Sequence, residues 1–271
     1  MISEKIGFIG AGQMARALAR GIVQAGLAEG RQLWACDPAA EARDQFQQMV
    51  DGAQVTEQNV QVAQAADLLV LAVKPQQMHE VLAGLVDQVT SRKLVVSIAA
   101  GVRLAQLADQ LGQDVRLVRV MPNTPCLVGQ SASAYAVGDR ATDTDAALVD
   151  QLLSAVGRAY RVDESLLDAV TGLSGSGPAF VSVFIEALSE GGVRMGLPPE
   201  IASALAVQTV LGTADLIRTT GEQPAVIRER VSSPGGTTIA GLEALEAHGF
   251  RAAVIAAVEA ATRRSMELGD R

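Results

Sequence analysis

A glycine-rich turn near the N-terminus has the residue types and spacing of a dinucleotide-binding turn. It follows an apolar run, precedes a segment with helical periodicity, and consists of Gly10, Ala11, Gly12, Gln13, Met14 and Ala15. In this G-x-G-x-x-A pattern the first glycine permits a tight turn, the second lets the backbone approach a pyrophosphate, and the alanine keeps the helix close to the sheet. We predict that the free N–H groups at this helix start bind a pyrophosphate.

Asp37 stands at the end of the second predicted strand and bears on the choice of coenzyme. A carboxylate at this position would accept hydrogen bonds from the adenosine ribose, which favours NAD. An exposed turn residue before Pro38 is an equally good interpretation, and Arg43 could instead reach a 2′-phosphate. The choice between NADH and NADPH is therefore open.

Two further strand ends can line the same crevice, because the carboxyl ends of parallel strands meet at one edge of a sheet. The first consists of Ala72, Val73, Lys74 and Pro75, and the second of Ile98, Ala99 and Ala100. Lys74 could bind a phosphate or be a solvated lysine. The small residues of the second segment would let a nicotinamide ribose approach the backbone.

A helix start in the C-terminal part has the composition of an anion-binding site. The segment consists of Ser232, Ser233, Pro234, Gly235, Gly236, Thr237 and Thr238. It offers free N–H groups and hydroxyl donors, which suit a substrate carboxylate, although an ordinary N-cap turn has the same pattern. The small-residue segment 173–178 could similarly be a ligand contact or a tight helix crossing. Glu164 could be no more than a first-turn carboxylate.

The scarcity of positioned acids favours reduction of a C=N bond over a C=O bond. The lysines are Lys5, Lys74 and Lys93, and the histidines are His79 and His248. Ketone reduction creates an alkoxide and usually needs a positioned acid, whereas an imine can be protonated before hydride attack. A β-hydroxyacid dehydrogenase would need a lysine in the helical part. A coenzyme-binding sensor without activity is the other alternative.

Composition limits the class of partner and the compartment. The formal net charge of the 271 residues is −8, and no basic stretch stands out, which argues against nucleic acid. Cys36 and Cys126 form neither a CxxC pair nor a metal-ligand spacing with histidine, so we expect no metal site. Free thiols suit a reducing cytoplasm. We expect no signal peptide, and no membrane span, because the apolar runs are far shorter than roughly 18 residues.

The pattern of elements predicts an α/β chain. Residues 1–162 alternate short apolar runs with helical segments, which predicts a Rossmann-type, mostly parallel sheet. Its predicted strands are 5–9, 32–36, 68–73, 94–98, 115–120, 132–137 and 159–162, the last two at the sheet edge, and the first helix is 13–26. Residues 163–271 are predicted to be all-helical, with helices at 164–171, 178–195, 198–218, 239–247 and 250–268. These helices are apolar on every side, which predicts burial against an interlocking second copy.

Five motifs together resemble the pyrroline-5-carboxylate reductase family, in its order and spacing over essentially the whole chain. They are residues 8–15 (FIGAGQMA), 72–75 (AVKP), 121–125 (MPNTP), 173–179 (LSGSGPA) and 232–238 (SSPGGTT). The resemblance implies a Rossmann domain followed by a helical dimerisation domain, in homodimers that often assemble into decamers. It implies reduction of 1-pyrroline-5-carboxylate to L-proline, the last step of proline biosynthesis, usually with NADPH.

The resemblance also implies roles for individual residues. Ser233 and the backbone of Gly236, Thr237 and Thr238 would hold the substrate carboxylate, and the Thr238 hydroxyl would face the imine nitrogen as the catalytic group. Glu164 matches an acidic position at the substrate site. Coenzyme positions are matched by Asn59 and by the strand ends at 72–75 and 98–100.

Two residues depart from the family pattern. Arg230 stands where some members carry an asparagine that touches the coenzyme. Asp37 replaces the small polar residue that many members place beside a 2′-phosphate. Both leave the preference between NADPH and NADH open.

Overall fold

The computed structural model describes residues 1–269, so the predicted helical range 163–271 extends two residues outside them. Residues Met1–Ser176 and the described C-terminal residues from Ala260 to Gly269 form one compact unit, and Gly177–Glu259 form a second. The boundaries of these units differ from those of the predicted domains, 1–162 and 163–271, and the predicted domains remain a prediction.

The first unit contains an eight-stranded sheet. Its strands are β1 (Ile6–Ile9), β2 (Leu33–Cys36), β3 (Gln54–Thr56), β4 (Leu68–Leu71), β5 (Leu94–Ser97), β6 (Arg116–Met121), β7 (Ser131–Val137) and β8 (Gly157–Arg161). The spatial order is β3-β2-β1-β4-β5-β6-β7-β8, and every neighbouring pair is parallel except β6 and β7. The predicted Rossmann-type, mostly parallel sheet is therefore confirmed.

The sheet is buried on both faces in its centre, which explains its continuous apolar strands. The flanking helices are α1 (Gln13–Gln24), α2 (Ala40–Met49), α3 (Asn59–Ala65), α4 (Met78–Ala83), α5 (Leu104–Leu111), α6 (Asp143–Ser154) and α7 (Leu167–Val170). Phe8 and Phe46 lie in one core cluster, and Ile9, Leu69 and Leu107 lie in another. Because alternate residues of a strand point to opposite faces, Phe8 and Ile9 contribute to different clusters.

The order of the strands creates a crevice beside β1. Ile6 pairs with Leu33 of β2 on one side and with Leu68 of β4 on the other. After β1 the chain forms β2 and β3 on one side of it, and β4 to β8 then lie on the other side. Ligands of open α/β sheets bind at such a switch point, outside the carboxyl ends of the strands.

Several elements differ from the predicted ones. Strand β3 was not predicted, because it has three residues and lies at the sheet edge, where little apolar sequence is needed. The predicted helix 164–171 is instead a 3₁₀ turn (Glu164–Leu166), the short α7 and a π-helical turn (Thr171–Gly175). Of the two strands predicted at the sheet edge, β8 is the edge strand and β7 lies inside it.

The second unit is built from helices. They are α8 (Gly177–Arg194), α9 (Pro199–Thr220), α10 (Pro224–Arg230), α11 (Thr237–Ala247) and the start of α12 (Phe250–Gly269). Helices α8 and α9 approach closely at Gly192, where a Cβ atom would lie 3.3 Å from the Cβ of Ala202. Helix α10 was not predicted, because its seven residues include three charged side chains.

Apolar side chains of the second unit remain exposed in the single chain. Ile201, Leu205 and Leu211 of α9 are 51%, 54% and 59% exposed. Among the described residues α9 is also the one helix that is long and apolar enough to cross a membrane, by length and composition alone. Exposed apolar side chains along one helix are typical of an interaction surface.

Candidate active site

The glycine turn joins the ends of three strands. The main-chain N–H of Gly10 donates to the carbonyl of Cys36 after β2 (2.9 Å), and that of Ala72 after β4 donates to the carbonyl of Ile9 (2.8 Å). Gly10 has a φ of +99°, and a Cβ atom there would lie 2.8 Å from the carbonyl oxygen of Ala72. The first glycine of the motif is therefore required by the fold itself.

Gly12 differs from Gly10 because, among the described residues, no distant part of the chain fills the space beside it. It is the N-cap of α1, with φ −68° and ψ −177°, and no side chain caps the helix. Apart from Gly12 itself and its two chain neighbours, no described heavy atom would lie within 4 Å of a Cβ atom placed there. The free amides of the first helical turn thus border an open space, as a pyrophosphate site requires.

Asp37 is tied to the glycine turn through its side chain. The main-chain N–H of Ala11 donates to Oδ2 of Asp37 (3.1 Å), and that of Ala39 donates to Oδ1 (3.0 Å). Arg43 donates to the carbonyls of Asp37 (2.7 Å) and Pro38 (3.0 Å), and its Nη2 pairs with Oε1 of Glu57 (2.8 Å). Neither Asp37 nor Arg43 is an unattached surface residue.

Asn59 begins α3 and is held by a thiol that sequence analysis did not assign to the site. Sγ of Cys36 lies 3.0 Å from Oδ1 of Asn59 and 3.5 Å from the carbonyl of Phe8. Burial raises the pKa of the Cys36 thiol to about 11. The thiol therefore stays protonated and can donate to Asn59. The position of Cys36 next to Asp37, at the end of β2, is the sequence feature that could have assigned this thiol to the site.

The Cys36 pKa predicts a loss of stability in alkali. Because the pKa is 9.0 ordinarily and about 11 in the fold, only the unfolded chain loses this proton between those pH values. The protonated thiol's contribution to the free energy of unfolding is fully present below pH 9. About 3 kcal/mol of this free energy is lost as the pH rises from 9 towards 11. Urea unfolding of the protein and of Cys36→Ser, which does not titrate here, measures it. Parallel stability curves for the two proteins would contradict the prediction.

The remaining predicted coenzyme residues lie at the same edge of the sheet. Ala72 and Val73 follow β4, Lys74 is exposed, and Pro75 begins a 3₁₀ turn. Ile98, Ala99 and Ala100 follow β5, and the N–H of Ile98 donates to the carbonyl of Leu71 (3.1 Å). The first unit thus brings together the glycine turn, Asp37, Asn59 and both strand-end segments.

Glu164 belongs to a polar cluster at the start of α5. Its Oε1 accepts from the main-chain N–H of Leu104 (2.7 Å) and from Nη1 of Arg119 (3.0 Å). Arg119 is 4% exposed, and its Nη2 lies 3.9 Å from Oδ1 of Asp168, which accepts from Oγ of Ser265 (2.6 Å). Sequence analysis missed Arg119 because an arginine inside an apolar strand has no local signature. The substrate-site role of Glu164 stays a prediction.

Two of the family-like motifs meet at the π-helical turn. Nδ2 of Asn123 donates to the carbonyl of Ser174 (3.0 Å). A Cβ atom at Gly175 would lie 2.5 Å from Cε of Met121, so the methionine side chain packs closely against this glycine. The MPNTP segment therefore holds the last turn of the first unit, which favours a packing role for 173–178.

The start of α11 in the second unit has no side-chain cap, and its role as an anion site stays a prediction. Gly236 is the N-cap, no side chain caps the helix, and the preceding Gly235 has a φ of +66°. A Cβ atom at Gly236 would lie 2.3 Å from Oγ of Ser233, so the Ser233 hydroxyl is close to the free helix start. Thr237 is exposed and Thr238 is half-buried.

Comparison with known proteins identifies the family. The model for pyrroline-5-carboxylate reductase dimerisation matches residues 164–268, and one for NADP oxidoreductase, coenzyme F420-dependent, matches residues 5–101. A pyrroline-5-carboxylate reductase of Arabidopsis thaliana is 46% identical over 267 residues, which is 98% of this chain and 96% of that protein. This chain belongs to the pyrroline-5-carboxylate reductase family.

Solved structures of family members have the same fold. A pyrroline-5-carboxylate reductase from Coxiella burnetii is 35% identical, with a TM-score of 0.92 over 98% of this chain and 99% of that one. The Plasmodium falciparum enzyme, solved with NADP bound, is 33% identical, with a TM-score of 0.89 over 99% of both chains.

Proposed function

We propose that this family member reduces 1-pyrroline-5-carboxylate to L-proline, the last step of proline biosynthesis, with NADH or NADPH. The observation that carries the proposal is the 46% identity to a pyrroline-5-carboxylate reductase over 98% of the chain. The two helix starts without a side-chain cap, at Gly12 and at Gly236, support it, because their free N–H groups suit anions, and a dinucleotide and a carboxylate substrate are both anionic.

The proposed coenzyme site consists of the residues at the carboxyl edge of the sheet. Its members are Gly10, Ala11, Gly12, Gln13, Met14, Asp37, Asn59, Ala72, Val73, Lys74, Pro75, Ile98, Ala99 and Ala100. The open space at Gly12 fits a pyrophosphate, since any side chain there would fill it. A bound reduced nicotinamide supplies the hydride.

The substrate carboxylate would bind Ser233 and the backbone of Gly236, Thr237 and Thr238. These groups fix the ring face that accepts the hydride, so most of the rate comes from positioning. The Thr238 hydroxyl orients the ring nitrogen, which is protonated before hydride reaches the adjacent carbon. No strong protein acid is needed for an iminium, in keeping with the absence of lysine after Lys93.

A second copy of the chain would cover the exposed apolar helices, in an interlocked homodimer that can assemble further into a decamer. The match of residues 164–268 to a dimerisation family supports this over insertion into a membrane. A cytoplasmic location is part of the proposal, since Cys36 and Cys126 are both free.

The proposed dimer predicts the effect of charges on α9. Replacing Leu205 and Leu211 together with glutamate should dissociate the oligomer, because both side chains would lie in an apolar interface. Analytical ultracentrifugation measures the mass. Val86→Glu, at an exposed apolar position of the first unit, is the control and should leave the mass unchanged. A monomeric unaltered protein would refute the dimer.

Coenzyme oxidation tests the reaction. Absorbance of reduced nicotinamide is followed with pyrroline-5-carboxylate as substrate, and proline is identified as the product. Oxidation of neither coenzyme by folded, oligomeric protein would overturn the proposal.

A further inference from the structure

The carboxyl end of β2 contains its own anion, the carboxylate of Asp37. This side chain takes the two nearby main-chain N–H groups of Ala11 (3.1 Å) and Ala39 (3.0 Å). Pro38, between Asp37 and Ala39, has no N–H to offer. Two of the main-chain donors near this turn therefore already bind an internal carboxylate.

The nearby cation is also engaged. Arg43 binds the carbonyls of Asp37 and Pro38, and its charge is balanced by Glu57 at 2.8 Å. Two carboxylates and one guanidinium sum to a net charge of −1 for Asp37, Glu57 and Arg43. A 2′-phosphate would add a charge of about −1.5 to −2 beside the half-buried Asp37, where solvent screens repulsion incompletely.

A ribose with a free 2′-hydroxyl can instead donate a hydrogen bond to the Asp37 carboxylate. An ionised carboxylate has about four acceptor positions, and the N–H groups of Ala11 and Ala39 use only two of them. Asp37 can therefore still accept a hydrogen bond from a ribose hydroxyl without leaving the glycine turn.

We infer that Asp37 is a specificity-determining residue that makes NADH the preferred coenzyme of this chain. Arg43 contributes little to phosphate recognition while Glu57 is present. The inference rests on the proposed coenzyme site. It adds to that proposal that NADH binds there more tightly than the 2′-phosphorylated coenzyme NADPH.

Fluorescence titration of the full-length protein with NADH and with NADPH measures both dissociation constants without any imine. We expect the dissociation constant of NADH to be lower than that of NADPH by about tenfold or more. Asp37→Ser should shift this ratio towards NADPH by about tenfold or more, since it removes the repelling charge. Glu57→Gln, which leaves Asp37 and the glycine turn in place, should tighten NADPH binding and leave NADH binding unchanged.

Asp44→Ser is the matched control, because it removes an exposed carboxylate from the same helix as Arg43. The ratio should not change in this variant, and an equal change would overturn the assignment to Asp37. Equal or tighter binding of NADPH to the unaltered protein would also overturn it. NADH-selective binding without reduction of the imine would leave this inference intact and reject the proposed reaction.

Discussion

Replacing Thr238 with alanine should lower kcat for pyrroline-5-carboxylate by about a hundredfold, while the dissociation constant of the coenzyme changes by less than about threefold. The physical reason is the position of Thr238 at the first turn of α11, beside the free N–H groups that would hold the substrate carboxylate. Loss of the hydroxyl leaves the ring nitrogen unoriented, but it removes nothing from the glycine turn in the other unit.

Steady-state kinetics and coenzyme titration on the same preparation test this prediction. Thr238→Ser keeps a hydroxyl at the position and should recover most of the lost turnover. An alanine variant with nearly normal kcat would remove Thr238 from its proposed role. A threonine hydroxyl that served only to start the helix would affect thermal stability instead, and would leave kcat in the folded enzyme unchanged.

Replacing Gly12 with alanine should weaken coenzyme binding by about a hundredfold and leave the free energy of unfolding within about 1 kcal/mol of the unaltered value. Its φ of −68° and ψ of −177° suit alanine, and the new Cβ atom would contact no described residue beyond its chain neighbours. The methyl group would instead occupy the space proposed for the pyrophosphate, where backbone approach must be close.

Gly10→Ala is the informative comparison for Gly12→Ala. At Gly10 the φ of +99° and the 2.8 Å approach to the carbonyl of Ala72 should destabilise the folded protein by about 2 kcal/mol or more. Urea unfolding and coenzyme titration should therefore separate the two glycines into a structural and a ligand-contacting position. Normal coenzyme binding by Gly12→Ala would show that the pyrophosphate does not lie there.

The sequence alone was sufficient to predict most of the strands of the first unit. Apolar runs of four to six residues alternating with helical periodicity predict parallel strands, because both signals are local and each buried strand needs apolar side chains on both faces. The short β3 and the charged α10 escaped prediction, since their formation depends on neighbours rather than on their own composition.

The motifs likewise predict a set of site residues, but not what those residues contact. The glycine turn and the start of α11 are local structures, so their backbone amides follow from a few consecutive residues. Asp37 is different, because its carboxylate accepts from the main-chain N–H of Ala11, 26 residues earlier, and no local pattern predicts that contact.

Tertiary structure alone decided the electrostatic environment of the charged residues. Glu57 neutralises Arg43 across 14 positions of sequence, and Arg119 reaches Glu164 across 45. Coulomb interactions depend on distance in space and on burial, and neither is a property of a local pattern. The sequence by itself thus determined the fold class, the family resemblance and the two glycine-rich helix starts that are predicted to bind anions, whereas only the folded chain shows which carboxylates and cations are already paired.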